Sequence, residues 1–133
     1  MEIRSAEEAI ALVTQGNDWL AENDSSLYCD ATAIKALERQ LSRFECTTAR
    51  AVASFEQSGE WDRDGARTGT AWIDTTCHLP KYEARAQLRR GKALATMPLV
   101  AQAWMNGDIG AAHVDALIRV KRPVTEELSL IHI

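Results

Sequence analysis

The feature that most constrains this chain is an apolar stripe near its middle. Ile34, Leu37, Leu41, Phe44, Thr48, Ala51 and Phe55 recur at steps of 3, 4, 3, 4, 3 and 4 residues. That spacing is helical and close to a heptad, so it predicts one long helix over Asp30–Ser58. Asp30 can cap its start and Gly59 can close its end. Lys35, Glu38, Arg39, Arg43, Glu45 and Arg50 fall off the stripe. A stripe of this length must be covered. Either it packs inside its own domain, or it meets a second copy through Ile34, Leu37, Leu41, Phe44 and Phe55. Thr48 and Ala51 weaken the seam, which disfavours a long coiled coil.

Shorter helices surround this one. Ser5 and Glu8 form a capping-box pattern, Ile10 and Val13 share a face, and Gly16 sits where a helix would stop. Gly16–Ser26 is polar and reads as a loop that tucks Trp19 onto the core. Gln57–Gly65 is a loop by composition, with Trp61 as a lid. Thr68 is the expected N-cap of a helix over Gly69–Thr76, with Trp72 and Ile73 inward. Pro80 suits the first position of the next helix. On that helix Ala84, Leu88, Gly91 and Ala95 make a narrow face of small residues that another helix can approach closely. Met97-Pro98 starts a helix that Gly107 ends. A last one begins near Ile109 and stops at Pro123. No segment alternates with a period of two, so the expected fold is all-α, with about six helices. The long helix would pack against a bundle of shorter ones that includes a helix-turn-helix-like pair.

Charge is uneven along the chain. Residues 1–75 hold 14 acidic and 7 basic side chains, a balance of -7, and residues 76–133 hold 5 and 8, a balance of +3. Lys81, Arg85, Arg89 and Lys92 are 4, 4 and 3 residues apart and share one helical face. Arg90 lies elsewhere, near Glu83. A basic stripe of this kind is either a solvated face or a contact surface for a polyanion. The net charge of -4 argues against strong non-specific binding of nucleic acid by the whole chain.

Other classes are excluded or left without support. No apolar run is long enough to span a bilayer, and MEIRSAEEAIALV lacks a signal pattern, so a cytoplasmic address is expected. Cys29, Cys46 and Cys77 are widely spaced and suggest neither a disulfide framework nor a metal site. Cys77 beside His78 and His113 beside Asp115 are the only pairs with catalytic chemistry. Neighbours in a helix do not face each other, and neither pair has an orienting third group. His113 reads as a capping or partly buried residue. No catalytic, cofactor-binding or metal-binding residue is therefore expected.

The run Gly65–Leu117 carries an ordered set of short words. These are Gly65-Ala66-Arg67, Ala71-Trp72-Ile73, Tyr82-Glu83-Ala84-Arg85, Lys92-Ala93-Leu94, Met97-Pro98 and Asn106-Gly107-Asp108-Ile109, followed by His113-Val114. In order and spacing they resemble the actinobacterial domain-of-unknown-function family 222, the 13E12-repeat proteins. Members of that family usually carry an HNH endonuclease domain after the helical part. The resemblance implies a non-catalytic accessory domain over residues 1–127, truncated before a nuclease module, that helps to position the protein on duplex DNA. Lys81, Arg85, Arg89 and Lys92 are the candidate nucleic-acid contacts. The alternative is a structural or dimerisation module with no nucleic-acid contact. An HNH site groups His and Asn or Asp around one divalent metal. His78, His113 and His132 are far apart, so no such site is expected here. The chain departs from the family at His78, usually Gly, and at Pro80, usually Ser or Thr. The closing run Leu128–Ile133, LSLIHI, is similar to translated sequencing-adapter tails. The other reading is a natural apolar C-terminus.

Overall fold

The computed structural model describes residues 2–120, and the expectations for Pro123 and for the tail 128–133 lie outside them. Among the described residues the protein is all-α, with six helices and no strand. They are α1 (Ala6–Glu22), α2 (Ala31–Ser58), α3 (Gly69–Cys77), α4 (Lys81–Leu94), α5 (Pro98–Met105) and α6 (Ala111–Val120). Two 3₁₀ turns, Ser25–Tyr28 and Glu60–Asp64, join α1 to α2 and α2 to α3. None of the six helices is long and apolar enough to cross a membrane. The chain divides after Leu37 into two compact units.

In the first unit, Ser5 caps α1 by accepting from the Glu8 amide at 3.1 Å. The Glu8 carboxylate reaches back to the Arg4 amide at 2.8 Å, so the capping box closes one residue further upstream than usual. Gly16 does not stop this helix, which runs six residues further, to Glu22. An exposed glycine inside a helix costs only about 1 kcal/mol relative to alanine, and its neighbours carry it. Trp19 is 55% exposed and is not tucked onto a core. Asn23 and Tyr28 bond the Trp19 and Leu20 carbonyls at 2.7 and 2.9 Å, which satisfies the end of α1.

Asp30 caps α2 through the Ala33 amide at 2.8 Å, and Gly59, at φ 74°, closes it. The face that α2 buries is not the stripe of large residues. Cys46, Ala49 and Val52 are buried, with Ser42 and Ala53 half-buried beside them. Ile34, Leu37, Leu41 and Phe44 are all exposed, Leu41 at 57%. At about 100° per residue the two faces lie roughly 130° apart. Packing of the whole stripe inside the fold is thus overturned. Of its large residues Phe55, at the C-terminal end, is half-buried, its ring 4.9 Å from that of Trp72 and tilted by 58°.

Two clusters make the core of the second unit. Cys46 and Ala49 join Leu94, Met97, Val100, Trp104, Ile109, Val114 and Leu117 in the larger. Val52, Ile73 and Ala84 form the smaller, with Phe55, Trp72, Leu79 and Leu88 around them. Gly91 is what lets α4 approach α2. A Cβ there would sit 2.2 Å from the Ala49 carbonyl oxygen and 2.8 Å from the Ala53 Cβ. Ala95 ends up exposed at the end of α4, off the buried face expected for it. Trp61 is half-buried and donates to the Glu56 carbonyl at 3.0 Å, a lid as expected, though on a 3₁₀ turn.

Candidate nucleic-acid interface

The helix-turn-helix-like pair is α3 and α4. Thr68 caps α3 through the Ala71 amide at 3.0 Å, and the Glu56 carboxylate takes the Gly69 amide. These bonds fill orphan donors in the first turn and fix where α3 begins. Three residues, His78-Leu79-Pro80, then join α3 to α4. His78 has φ 55° and ψ 41°, the left-handed conformation. It is the sole non-glycine residue at positive φ among those described. So the turn has the backbone that glycine favours even though its residue is histidine. Pro80 sits at the N-cap of α4, one position before the one expected, with no side-chain cap bond.

Each face of α4 has a separate task. Ala84, Ala86, Gly91 and Leu94 are buried. Arg90 projects toward α6 and pairs with Asp115 through two bonds of 2.8 Å, with Glu83 as a second carboxylate at 3.2 Å. Arg90 holds the Asp115 carboxyl well below the usual range, burial opposing and Arg89 and Arg119 adding to the effect. The same pairing pushes the Arg90 pKa up. A two-pronged guanidinium–carboxylate contact fixes both angle and distance between helices.

The remaining face is open. Lys81, Tyr82, Arg85, Arg89 and Lys92 are exposed. None of these four cations has a carboxylate within ion-pair distance among the described residues. One turn of helix, about 6 Å, separates Lys81 from Arg85 and Arg85 from Arg89. The structure thus brings all four predicted residues together on one surface. A small cleft of 110 Å³ at its first turn is lined by Thr68, Thr70, Ala71, Lys81 and Arg85, so the start of α3 adjoins the stripe. Tyr82, 74% exposed beside Lys81, is a member of this face that charge counting missed. Its signal was its place on the wheel, next to the cations and away from the small residues.

The other candidates do not assemble. His113 is exposed and accepts from the Gly110 amide at 3.1 Å, a capping role as expected. Cys46 is buried, which pushes its thiol up. Cys29 and Cys77 are exposed. Among the described residues no three His, Cys, Asp or Glu side chains are grouped to hold a metal ion. An open groove of 660 Å³ between α2, α4 and α5 is mainly apolar, with Arg50 and Lys92 among its lining residues. Glu56, Gln57 and Ser54 line it too, and the Glu56 carboxylate already accepts from the Gly69 amide. No family model, curated protein or solved structure matches the chain.

Proposed function

We propose that this chain is a non-catalytic, cytoplasmic accessory domain of an HNH endonuclease-like protein, akin to the family 222 proteins, and that it helps to position that protein on duplex DNA. The observation that carries this reading is the open face of α4. Lys81, Arg85, Arg89 and Lys92 stand at near one-turn spacing with no carboxylate within ion-pair distance among the described residues. Arg90, which is ion-paired to Asp115 and Glu83, points elsewhere. Unpaired cations in a row suit phosphates, and the second helix of such a pair is the one that meets DNA. The chemistry would belong to a downstream nuclease domain. Replacing Arg85, Arg89 and Lys92 together by Ala is expected to abolish a salt-sensitive mobility shift of duplex DNA. Unchanged binding by that variant would sink the reading, as would no binding by the intact chain.

One observation favours a second reading, a protein-interaction or dimerisation module. Ile34, Leu37, Leu41 and Phe44 are exposed on α2 at helical spacing, and regular apolar exposure of this kind marks contact surfaces. A second copy or a downstream domain would cover them. Sedimentation of the intact chain decides the first of these, since a monomer at high concentration excludes self-association.

A further inference from the structure

We infer that the α4 face takes duplex DNA by its phosphates alone and reads no base sequence. This rests on the DNA reading above and narrows it to one mode of contact. The argument starts from what the face contains. Its five exposed residues are Lys81, Tyr82, Arg85, Arg89 and Lys92. Adenine is read by the paired donor and acceptor of Asn or Gln, and cytosine by the acceptors of Asp or Glu. The face has none of these. Glu83 is occupied by Arg90, and Gln87 is half-buried. Arginine and lysine can read guanine, so guanine is the one base for which hydrogen-bond readers are present.

Placement weakens even that option. At about 100° per residue the four cations fall within roughly 80° of arc, on the side away from the core. A helix seated in a groove turns its centre line to the base edges and its flanks to the phosphates of both walls. On α4 the cations occupy the centre line. Its flanks are Ala84, Leu88 and Gly91 on one side and Ala86 and Ala93 on the other, all buried or half-buried. Flanks committed to the core in this way leave only Tyr82, beside Arg89, near a groove wall. A single row of cations with a step near 6 Å suits one phosphate ridge instead. Thr68 and Thr70, which share the small cleft with Lys81 and Arg85, add hydroxyl groups of the kind that bond phosphate oxygens.

Tyr82 supplies the discriminating measurement. Its ring is exposed, and a free ring stacks on unpaired bases, which a duplex does not offer. Fluorescence anisotropy with the intact chain would compare an A·T-only duplex, a G·C-rich duplex and a single strand, each of about 20 bases or base pairs. The two duplexes are expected to bind within about threefold of each other. Four phosphate contacts predict a slope near -3.6 for log affinity against log salt, about a 150-fold loss between 50 and 200 mM. A G·C preference above about fivefold would overturn the inference, because it would mean that guanine is read. So would tighter binding of the single strand, on whose unpaired bases the Tyr82 ring can stack. Absence of binding to every DNA tested would instead remove the reading on which the inference rests.

Discussion

Replacing Gly91 by Ala is expected to destabilise the second unit by about 2 kcal/mol, although alanine is the better helix former. The added Cβ would lie 2.2 Å from the Ala49 carbonyl oxygen and 2.8 Å from the Ala53 Cβ, where ordinary contact begins near 3.4 Å. The first obstacle is backbone, which cannot swing aside like a side chain. Helices α2 and α4 must therefore part by about 1 Å, which loosens the packing of Ala84 and Leu94 as well. Overpacking of this kind costs roughly 1–3 kcal/mol, and the backbone clash places it at or above the upper end. Helix propensity returns about 1 kcal/mol. For a chain of this size the net loss lowers the melting temperature by about 6–10 °C. Gly16→Ala is the matched control. Nothing lies within 4 Å of its Cβ position and α1 continues through it, so the same change should add about 0.5–1 kcal/mol of local helix stability. Thermal unfolding followed by far-UV circular dichroism reads both. A Gly91→Ala protein as stable as the parent would refute the close approach of α2 and α4.

Three further outcomes follow from particular contacts. Leu41→Ser and Phe44→Ser should each change stability by no more than about 0.5 kcal/mol in denaturant titrations, whereas Val100→Ala, in the buried core, should cost 1 kcal/mol or more. Comparable losses would mean that the α2 stripe is packed after all. Asp115 has its folded pKa lowered by Arg90, so its contribution is complete above the unfolded value of about 4 and fades as pH falls through the lowered one. Asp115→Asn should therefore flatten the acid limb of a stability–pH profile, and a profile identical to the parent's would contradict the pairing. His78→Gly should stabilise the protein by about 0.5–1 kcal/mol, because the turn holds a left-handed residue, and a loss on calorimetry would mean that the imidazole makes a contact of its own.

The parts of the fold that were legible in the sequence are those fixed by local chemistry. Ser5, Asp30 and Thr68 cap where their short oxygen-bearing side chains predicted, because an N-cap needs only an amide two or three residues on. The row of four cations was legible for the same reason, since spacing alone puts them on one face. The orientation of α2 was misread, and the cause is physical. Periodicity weighs residues by hydrophobicity, so Ile34, Leu37, Leu41 and Phe44 dominate the pattern. The face that is buried is built of Cys46, Ala49 and Val52, with Ser42 and Ala53 half-buried beside them, and apart from Val52 these are small. Ala49 and Ala53 are small where α4 comes close, and that closeness depends on Gly91, more than thirty residues later. Arg90 poses the same difficulty. Glu83 was in reach of a helical wheel, but its stronger partner Asp115 is 25 residues away and follows from the fold alone.

These long-range contacts also bear on what the cation stripe can do. Helix α4 is fixed on two sides by different physics. On one, Gly91 meets the α2 backbone, where packing sets the distance. On another, Arg90 meets Asp115 through two bonds, where direction as well as distance is set. Two constraints of different kind, on faces well apart round one helix, leave it little freedom to roll. The stripe of Lys81, Arg85, Arg89 and Lys92 is therefore held outward by residues that touch no ligand. A substitution at Asp115 is expected to weaken binding of duplex DNA without removing any cation from the surface. It would act by letting α4 roll, while Arg90, left with Glu83 alone, would make the surface more positive. The two effects oppose each other. Added charge alone would strengthen binding and steepen its salt dependence, whereas a rolled stripe would weaken binding and make the dependence shallower. A salt titration of Asp115→Asn, beside Gly91→Ala, separates them. Weaker binding with a shallower slope in both variants would mean that the scaffold, and not charge alone, makes the surface.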